Sequence, residues 1–193
     1  HAGEVLGVAG LVGSGRSELL NMLYGLDPIE TGEVLLKGKP YQPATPAESI
    51  EKQGVLVPEE RRTQGLLMSQ SITKNVVLPH VNQLARAGIF TNLARETQVS
   101  QKVSQDVRLK AVSVNQSVST LSGGNQQKVV FGRWMVGNVD VLLLDEPTRG
   151  VDVGARFEIY SLIRDMAEKG TAVLMVSSDL EEIIGLSQRI LVM

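Results

Sequence analysis

Between residues 4 and 24 an apolar run, a glycine-rich loop and a helical run follow one another without a spacer. Glu4-Val-Leu-Gly-Val-Ala9 reads as a buried strand, Gly10 to Gly15 as a tight loop, and Ser17 to Tyr24 as a helix closed by Gly25. The same alternation returns near the other end. Val141 to Leu144 reads as a strand, Val153 to Lys169 as a helix, Thr171 to Val176 as a strand, Leu180 to Gly185 as a helix and Ile190 to Met193 as a strand. Strands alternating with helices imply an α/β fold with a mainly parallel sheet covered on both faces. On the long helix, Phe157, Tyr160, Ile163, Met166 and Ala167 form the expected core face.

The segments between are less regular. Glu33 to Lys37 reads as a short strand with a turn at Gly38-Lys39-Pro40, Pro46 to Gln53 as a helix, Val55 to Val57 as a strand and Pro58 to Gln64 as a charged, exposed loop. From Ile72 to Thr120 glycine becomes scarce and glutamine frequent, and Val99, Val103 and Val107 mark one helix face. This predicts a mostly helical subdomain inserted into the α/β core, with the core over about 1–71 and 130–193 and the subdomain over about 72–129. The chain enters a strand almost at once and stops inside another, which reads as one domain of a longer polypeptide.

Composition excludes several classes. A net charge of -2 gives no global field toward nucleic acid or anionic lipid. The chain has no cysteine, so neither a disulfide framework nor a Cys-based zinc site is available. No apolar run approaches the roughly 18–20 residues of a membrane span.

Three constellations carry chemistry. Gly10-Leu-Val-Gly13-Ser14-Gly15-Arg16-Ser17 has the spacing of a phosphate-binding loop, with Arg16 where that pattern has Lys. Glycines let the backbone fold around phosphates with its N–H groups inward, and the helix that follows aims a positive dipole end at them. Ser17 offers a hydroxyl to Mg²⁺. Arg16 is larger and planar, so its exchange for Lys is not neutral. Asp145 follows four apolar residues and falls at the carboxyl end of its strand, where it suits Mg²⁺; Glu146 points elsewhere. Leu121-Ser122-Gly123-Gly124-Asn125 opens a helix, with Ser122 as its cap, the glycine N–H groups as an anion site, and no neighbouring Lys to complete it. Lys128 reads as a solvated helix residue, His80 as a surface or subdomain residue, and Asp152 as the cap of the helix at Val153.

Taken together, Gly15-Arg-Ser17, Pro58-Glu-Glu-Arg61, Leu121-Ser-Gly-Gly-Asn-Gln-Gln127 and Asp145-Glu-Pro-Thr-Arg-Gly-Val-Asp-Val-Gly154 resemble the ATP-binding cassette (ABC) ATPases. Within that family they resemble the second domain of bacterial monosaccharide importers that fuse two ABC domains in one chain, over about Gly3 to Met193. The resemblance implies a P-loop NTPase core with an inserted signature subdomain, ATP and Mg²⁺ as cofactors, and an ATPase. It implies nucleotide contacts at Gly10, Gly13, Ser14, Gly15, Arg16, Ser17 and Glu18, with metal ligands among Ser17, Asp145 and Glu59. Glu146 becomes the residue that polarises the attacking water. Ser122, Gly123, Gly124 and Asn125 close on the nucleotide of a partner domain, and Gly150-Val-Asp152 crosses the interface.

Three positions depart from the family pattern: Arg16 replaces a Lys, Glu59 a Gln and Ser178 a His, and serine supplies no imidazole to shuttle a proton. The antiparallel strands that carry the adenine-stacking aromatic residue in the family do not precede this phosphate loop. The expected role is thus asymmetric, with an intact signature serving a neighbour and a degenerate site of its own. The implied partners are a second ABC domain, transmembrane permease subunits and, indirectly, a periplasmic sugar-binding protein, at the cytoplasmic face of the inner membrane, with no nucleic acid. Two alternatives stay open: a regulatory half that binds nucleotide without hydrolysis, and a non-transport ABC ATPase. Against the DNA-repair form of the latter, no heptads are sustained between Glu18 and Thr120.

Overall fold

A computed structural model of the chain describes residues 1–11, 13–84 and 92–193. Val12 of the glycine loop, and residues 85–91 of the stretch expected to be helical, lie outside the described residues. In chain order the elements begin with β1 (Val5–Ala9), α1 (Arg16–Tyr24), β2 (Leu35–Leu36), β3 (Lys39–Pro40), α2 (Pro46–Glu51), β4 (Gly54–Val57) and α3 (Ile72–Val77). They continue with α4 (Val81–Leu84), α5 (Leu93–Asp106), α6 (Gly123–Trp134), β5 (Val141–Asp145), α7 (Val153–Glu168), β6 (Ala172–Val176), α8 (Leu180–Leu186) and β7 (Arg189–Val192). They form two compact units. The first comprises His1–Val57, Val139–Pro147 and Arg164–Met193, and the second Pro58–Asn138 and Thr148–Ile163.

The first unit is built on a parallel sheet ordered β4-β5-β6-β1-β7. β4 and β5 are continuous apolar runs and both are buried, β4 at one edge of the sheet; Leu142, Leu143 and Leu144 are all buried, so both faces of β5 are covered. Val8, Leu20, Leu56, Leu143 and Val176 form one cluster, which seats α1 against the sheet. The expected strand over 33–37 shrinks to β2. The turn falls at Lys37 and Gly38, both at positive φ (53° and 73°), one residue earlier than expected, because a two-residue hairpin of this hand needs left-handed backbone at both positions. α2 starts as expected, with Thr45 Oγ1 accepting from Glu48 N at 3.3 Å, but ends at Glu51, since Gln53 at φ 63° has left the helix.

In the second unit α6 packs against α3 and α5 and is buried over most of its length. Val103 and Val107 lie inside, as their spacing predicts, with Val99 at the margin. The segment expected as an exposed charged loop instead closes a π-helical turn over Arg61–Gly65. α7 corrects the expected core face: Ile159, Leu162, Ile163, Met166 and Ala167 are buried, while Phe157 is 65% exposed with its ring edge-on to Tyr160. Aliphatic residues, not the aromatic pair, set the buried stripe. Among the described residues no helix is long and apolar enough to cross a membrane.

His80 belongs to this unit and is buried, not at the surface. Its Nε2–H donates to the Arg133 carbonyl at 2.7 Å, and its ring stands edge-on to Trp134. Burial lowers its pKa below the ordinary 6.5, against the raising effect of that hydrogen bond. The folded protein therefore favours neutral imidazole, and the unfolded chain binds the proton first as pH falls. This contribution to stability is present above pH 6.5 and is lost as pH drops below it toward the folded value. Tm measured across that window is expected to fall more steeply for the wild type than for His80→Gln; parallel curves would refute the assignment.

Candidate functional site

In the first unit, the carboxyl ends of three adjacent strands converge. β6 lies between β5 and β1, so the phosphate loop after β1, Asp145-Glu146 after β5 and Ser177-Ser178 after β6 emerge on one edge of the sheet. Parallel α/β sheets bind ligands at that edge. The loop has the required backbone: Gly13 and Gly15 adopt φ 84° and 92°, a left-handed conformation that side chains other than Gly rarely tolerate. A Cβ at Gly10 would lie 2.6 Å from the Met193 carbonyl oxygen and 2.8 Å from Ser14 Oγ, so this position also has no room for one.

Two observations fit the expected ligands. Ser14 Oγ is buried and has no hydrogen-bond partner among the described residues, a donor left free for a phosphate oxygen. Ser17 Oγ donates to Asp145 Oδ1 at 3.1 Å, which brings a hydroxyl and a carboxylate together as oxygen ligands. Burial holds the Asp145 carboxyl above its ordinary pKa, with the Ser17 hydrogen bond opposing and the Glu146 charge reinforcing the shift. Among the described residues no three His, Cys, Asp or Glu side chains gather as a metal site. A cation here would complete its shell with phosphate and water oxygens, as Mg²⁺ commonly does. Glu18 lies in the first turn of α1.

Arg16 is 6% exposed and is already engaged. Its NH1 donates to the Ser177 carbonyl at 2.6 Å, and its NH2 stands 3.7 Å from Glu146 Oε1. Ser178 meets the same carboxylate. Its backbone N–H donates to Oε1 at 2.7 Å and its hydroxyl to Oε2 at 3.1 Å. The strand register explains the meeting, since Asp145 pairs with Val176 and the Glu146 N–H donates to the Val176 carbonyl at 2.9 Å. Glu146 holds this place with φ 46°, in the left-handed region. Two of the three departures thus converge on the candidate base, from 130 and 32 positions away in the chain, separations that give no local signal.

The second unit holds the signature residues. α6 begins at Gly123 with Ser122 in the N-cap position, but the Ser122 hydroxyl does not cap the helix. It accepts from Asn125 Nδ2 at 2.9 Å, while Asn125 Oδ1 accepts from Lys110 N at 2.9 Å. Gly124 is fixed by packing: a Cβ there would lie 2.4 Å from the Ala155 Cβ. Ser122, Gly124 and Asn125 line a polar cavity of about 240 Å³ with Lys110, Lys128, Asp152 and Glu158. That is smaller than the ~300–1,000 Å³ of whole-ligand pockets, so it suits part of a ligand.

The lysines correct two expectations. Lys128 is not solvated but 1% exposed, donating from Nζ to the Arg108 carbonyl at 2.9 Å and paired with Glu158. Lys110 and Lys128 both line the cavity, so the signature is not without neighbouring lysine. Because α6 is buried nearly all round, periodicity does not pick out a polar face, and the burial of Lys128 has no signal in the sequence. Asp152 does cap α7, its Oδ1 accepting from Ala155 N at 3.0 Å. Glu59, the third departure, lies in this unit and pairs with the Arg149 guanidinium.

Comparison with known proteins supplies the family. A profile described as ABC transporter matches residues 1–149. The chain is 47% identical over 193 residues to a ribose import ATP-binding protein of Corynebacterium glutamicum, covering 100% of this chain and 37% of that one. It is 46% identical over 193 residues to a putative ribose/galactose/methyl galactoside import ATP-binding protein of Rhizobium meliloti, covering 100% and 38%. The chain thus spans a little over a third of these curated relatives. Among solved structures, a nucleotide-free ATP-binding cassette superposes with TM-score 0.81 at 20% identity, covering 100% of this chain and 78% of that one. A cassette dimer in a post-hydrolysis state, bound to ADP and Pi, also gives 0.81, at 24% identity, covering 100% and 82%. These likenesses show the fold: a P-loop α/β core with its helical signature region.

Proposed function

The chain belongs to the ABC transporter family, and from that premise we propose that it is the second ATP-binding domain of a bacterial sugar importer. Its signature surface (Ser122, Gly123, Gly124, Asn125) closes on the nucleotide of a first ABC domain, and its own phosphate loop binds nucleotide but hydrolyses it slowly. The naming of its relatives as ribose and galactoside import proteins supports the substrate class. The grip of Arg16 and Ser178 on Glu146 carries the asymmetry.

In this reading the loop N–H groups between Gly10 and Ser17, with Ser14 Oγ, hold the ATP phosphates. Ser17 and Asp145 hold Mg²⁺, which when bound neutralises phosphate charge. Glu59, also expected as a metal ligand, pairs with Arg149 within the second unit. Arg16 differs from a Lys at this place because its guanidinium is drawn to the Ser177 carbonyl and Glu146. Both Glu146 oxygens already accept from Ser178, so a water that Glu146 would polarise competes with two protein donors. Permease subunits, a periplasmic sugar-binding protein and the cytoplasmic face of the inner membrane follow from the same reading.

Glu146→Gln in the full-length transporter tests it. Uptake is expected to stay within about twofold of wild type, because removing a general base costs ~10²-fold or more only where that base turns over. Collapse of uptake would show that this domain's own site carries the cycle. If uptake is retained, loss of equilibrium ATP binding to the full chain on Gly13→Val would separate a bound regulatory nucleotide from none.

A further inference from the structure

Arg61 ends the Pro58-Glu-Glu-Arg61 motif, within which no role is given to it, and it joins three segments of the second unit. It opens the π-helical turn Arg61–Gly65, a wide geometry that recurs at functional sites. Its NH1 donates to the Arg149 carbonyl at 2.8 Å and its NH2 to the Gly150 carbonyl at 3.2 Å. The same NH2 lies 2.8 Å from where a Cβ on Gly123 would sit, so the guanidinium rests against the first residue of the signature helix. Gly150 itself comes within 3.2 Å of that point through its carbonyl oxygen. A second tie runs the other way, from Arg149 to Glu59, two residues before Arg61. The Nε of Arg61 is buried with no partner among the described residues, so the planar fork serves the two carbonyls while its Nε–H goes unmatched.

We propose that Arg61 is a positioning residue that fixes the signature turn at Gly123 to the backbone of Arg149 and Gly150, and so sets the reaction at the nucleotide this turn closes on. The proposal rests on the signature reading under Proposed function. A planar fork that bonds two successive carbonyls while one of its arms abuts a glycine has no equivalent in Lys, whose point charge lacks that fixed geometry.

The test uses the full-length transporter in vesicles with Arg61→Ala, Arg61→Lys and Ser122→Arg, each checked for wild-type Tm. Hydrogen exchange at amides 122–126 reads the turn directly. Exchange is expected to speed up in Arg61→Ala, with Arg61→Lys intermediate; unchanged exchange in both overturns the proposal. ATPase kinetics read the consequence. Arg61→Ala is expected to lower kcat about tenfold with KM within about twofold, the pattern of a lost transition-state alignment, and Arg61→Lys to recover part of it. Faster exchange with unchanged kcat, while Ser122→Arg abolishes turnover, overturns the link from Arg61 to the reaction. If Ser122→Arg itself leaves turnover at wild type, the signature reading has failed, and the reaction half of this proposal falls with it, whereas the exchange result still decides what holds the turn.

Discussion

Ser122→Arg in the full-length transporter is expected to lower ATP-driven sugar uptake about a hundredfold, the scale on which misplacing a group by an ångström suppresses an enzyme. The substitution changes no residue of the phosphate loop and neither Asp145 nor Glu146, which belong to the first unit, whereas Ser122 belongs to the second. Ser122 Oγ is held by Asn125 Nδ2, whose other amide end is held by Lys110 N, so the hydroxyl sits in a chain of hydrogen bonds that lines the polar cavity. An arginine there fills the space beside Gly124, where the approach of Ala155 leaves no slack. Nucleotide binding to this domain's own loop is expected to survive. Retained uptake with Ser122→Arg would remove the basis for assigning this surface to a neighbour's nucleotide; the measurement is initial-rate uptake of labelled sugar beside equilibrium nucleotide binding.

The second large effect is a gain. Arg16→Lys combined with Ser178→His is expected to raise single-turnover hydrolysis at this domain's own site at least about tenfold, part of the 10²–10⁴ that a fully positioned acid or base contributes. It is read in a full-length protein whose other cassette has been inactivated. Each substitution removes one hold on Glu146. Lysine lacks the second guanidinium arm that stands 3.7 Å from Oε1, and histidine lacks the hydroxyl that donates to Oε2. Neither removes the Ser178 backbone donation to Oε1, which any residue at 178 retains, so the single variants are expected to give smaller gains. A double variant no faster than wild type would show that the restraint on turnover lies elsewhere, with Glu59 and its Arg149 partner as the next place to look.

The parallel core was legible because its strands are unbroken apolar runs; β1, β4, β5 and β6 fall within about a residue of where the sequence puts them. β2 was not, since nothing in Glu33 to Lys37 says that its partner is a two-residue hairpin arm. The phosphate loop and the acids after β5 could be named from spacing, because their chemistry depends on local backbone shape. The contacts that distinguish this site could not. Arg16 to Ser177, Ser178 to Glu146 and Arg61 to Gly150 join residues 161, 32 and 89 positions apart. Fold topology alone brings them together. The burial of Lys128 and the exposure of Phe157 escape the sequence for a common reason: periodicity says which residues share a face, and not which faces are covered.

The left-handed backbone of Glu146 sets folding and chemistry against each other at a single residue. A non-glycine residue at φ 46° costs about 1–2 kcal/mol relative to ordinary backbone. Glycine or asparagine would relieve most of that. Selection of this domain for heat resistance alone is therefore expected to replace the carboxylate, and its retention would have to be enforced by a screen for transport.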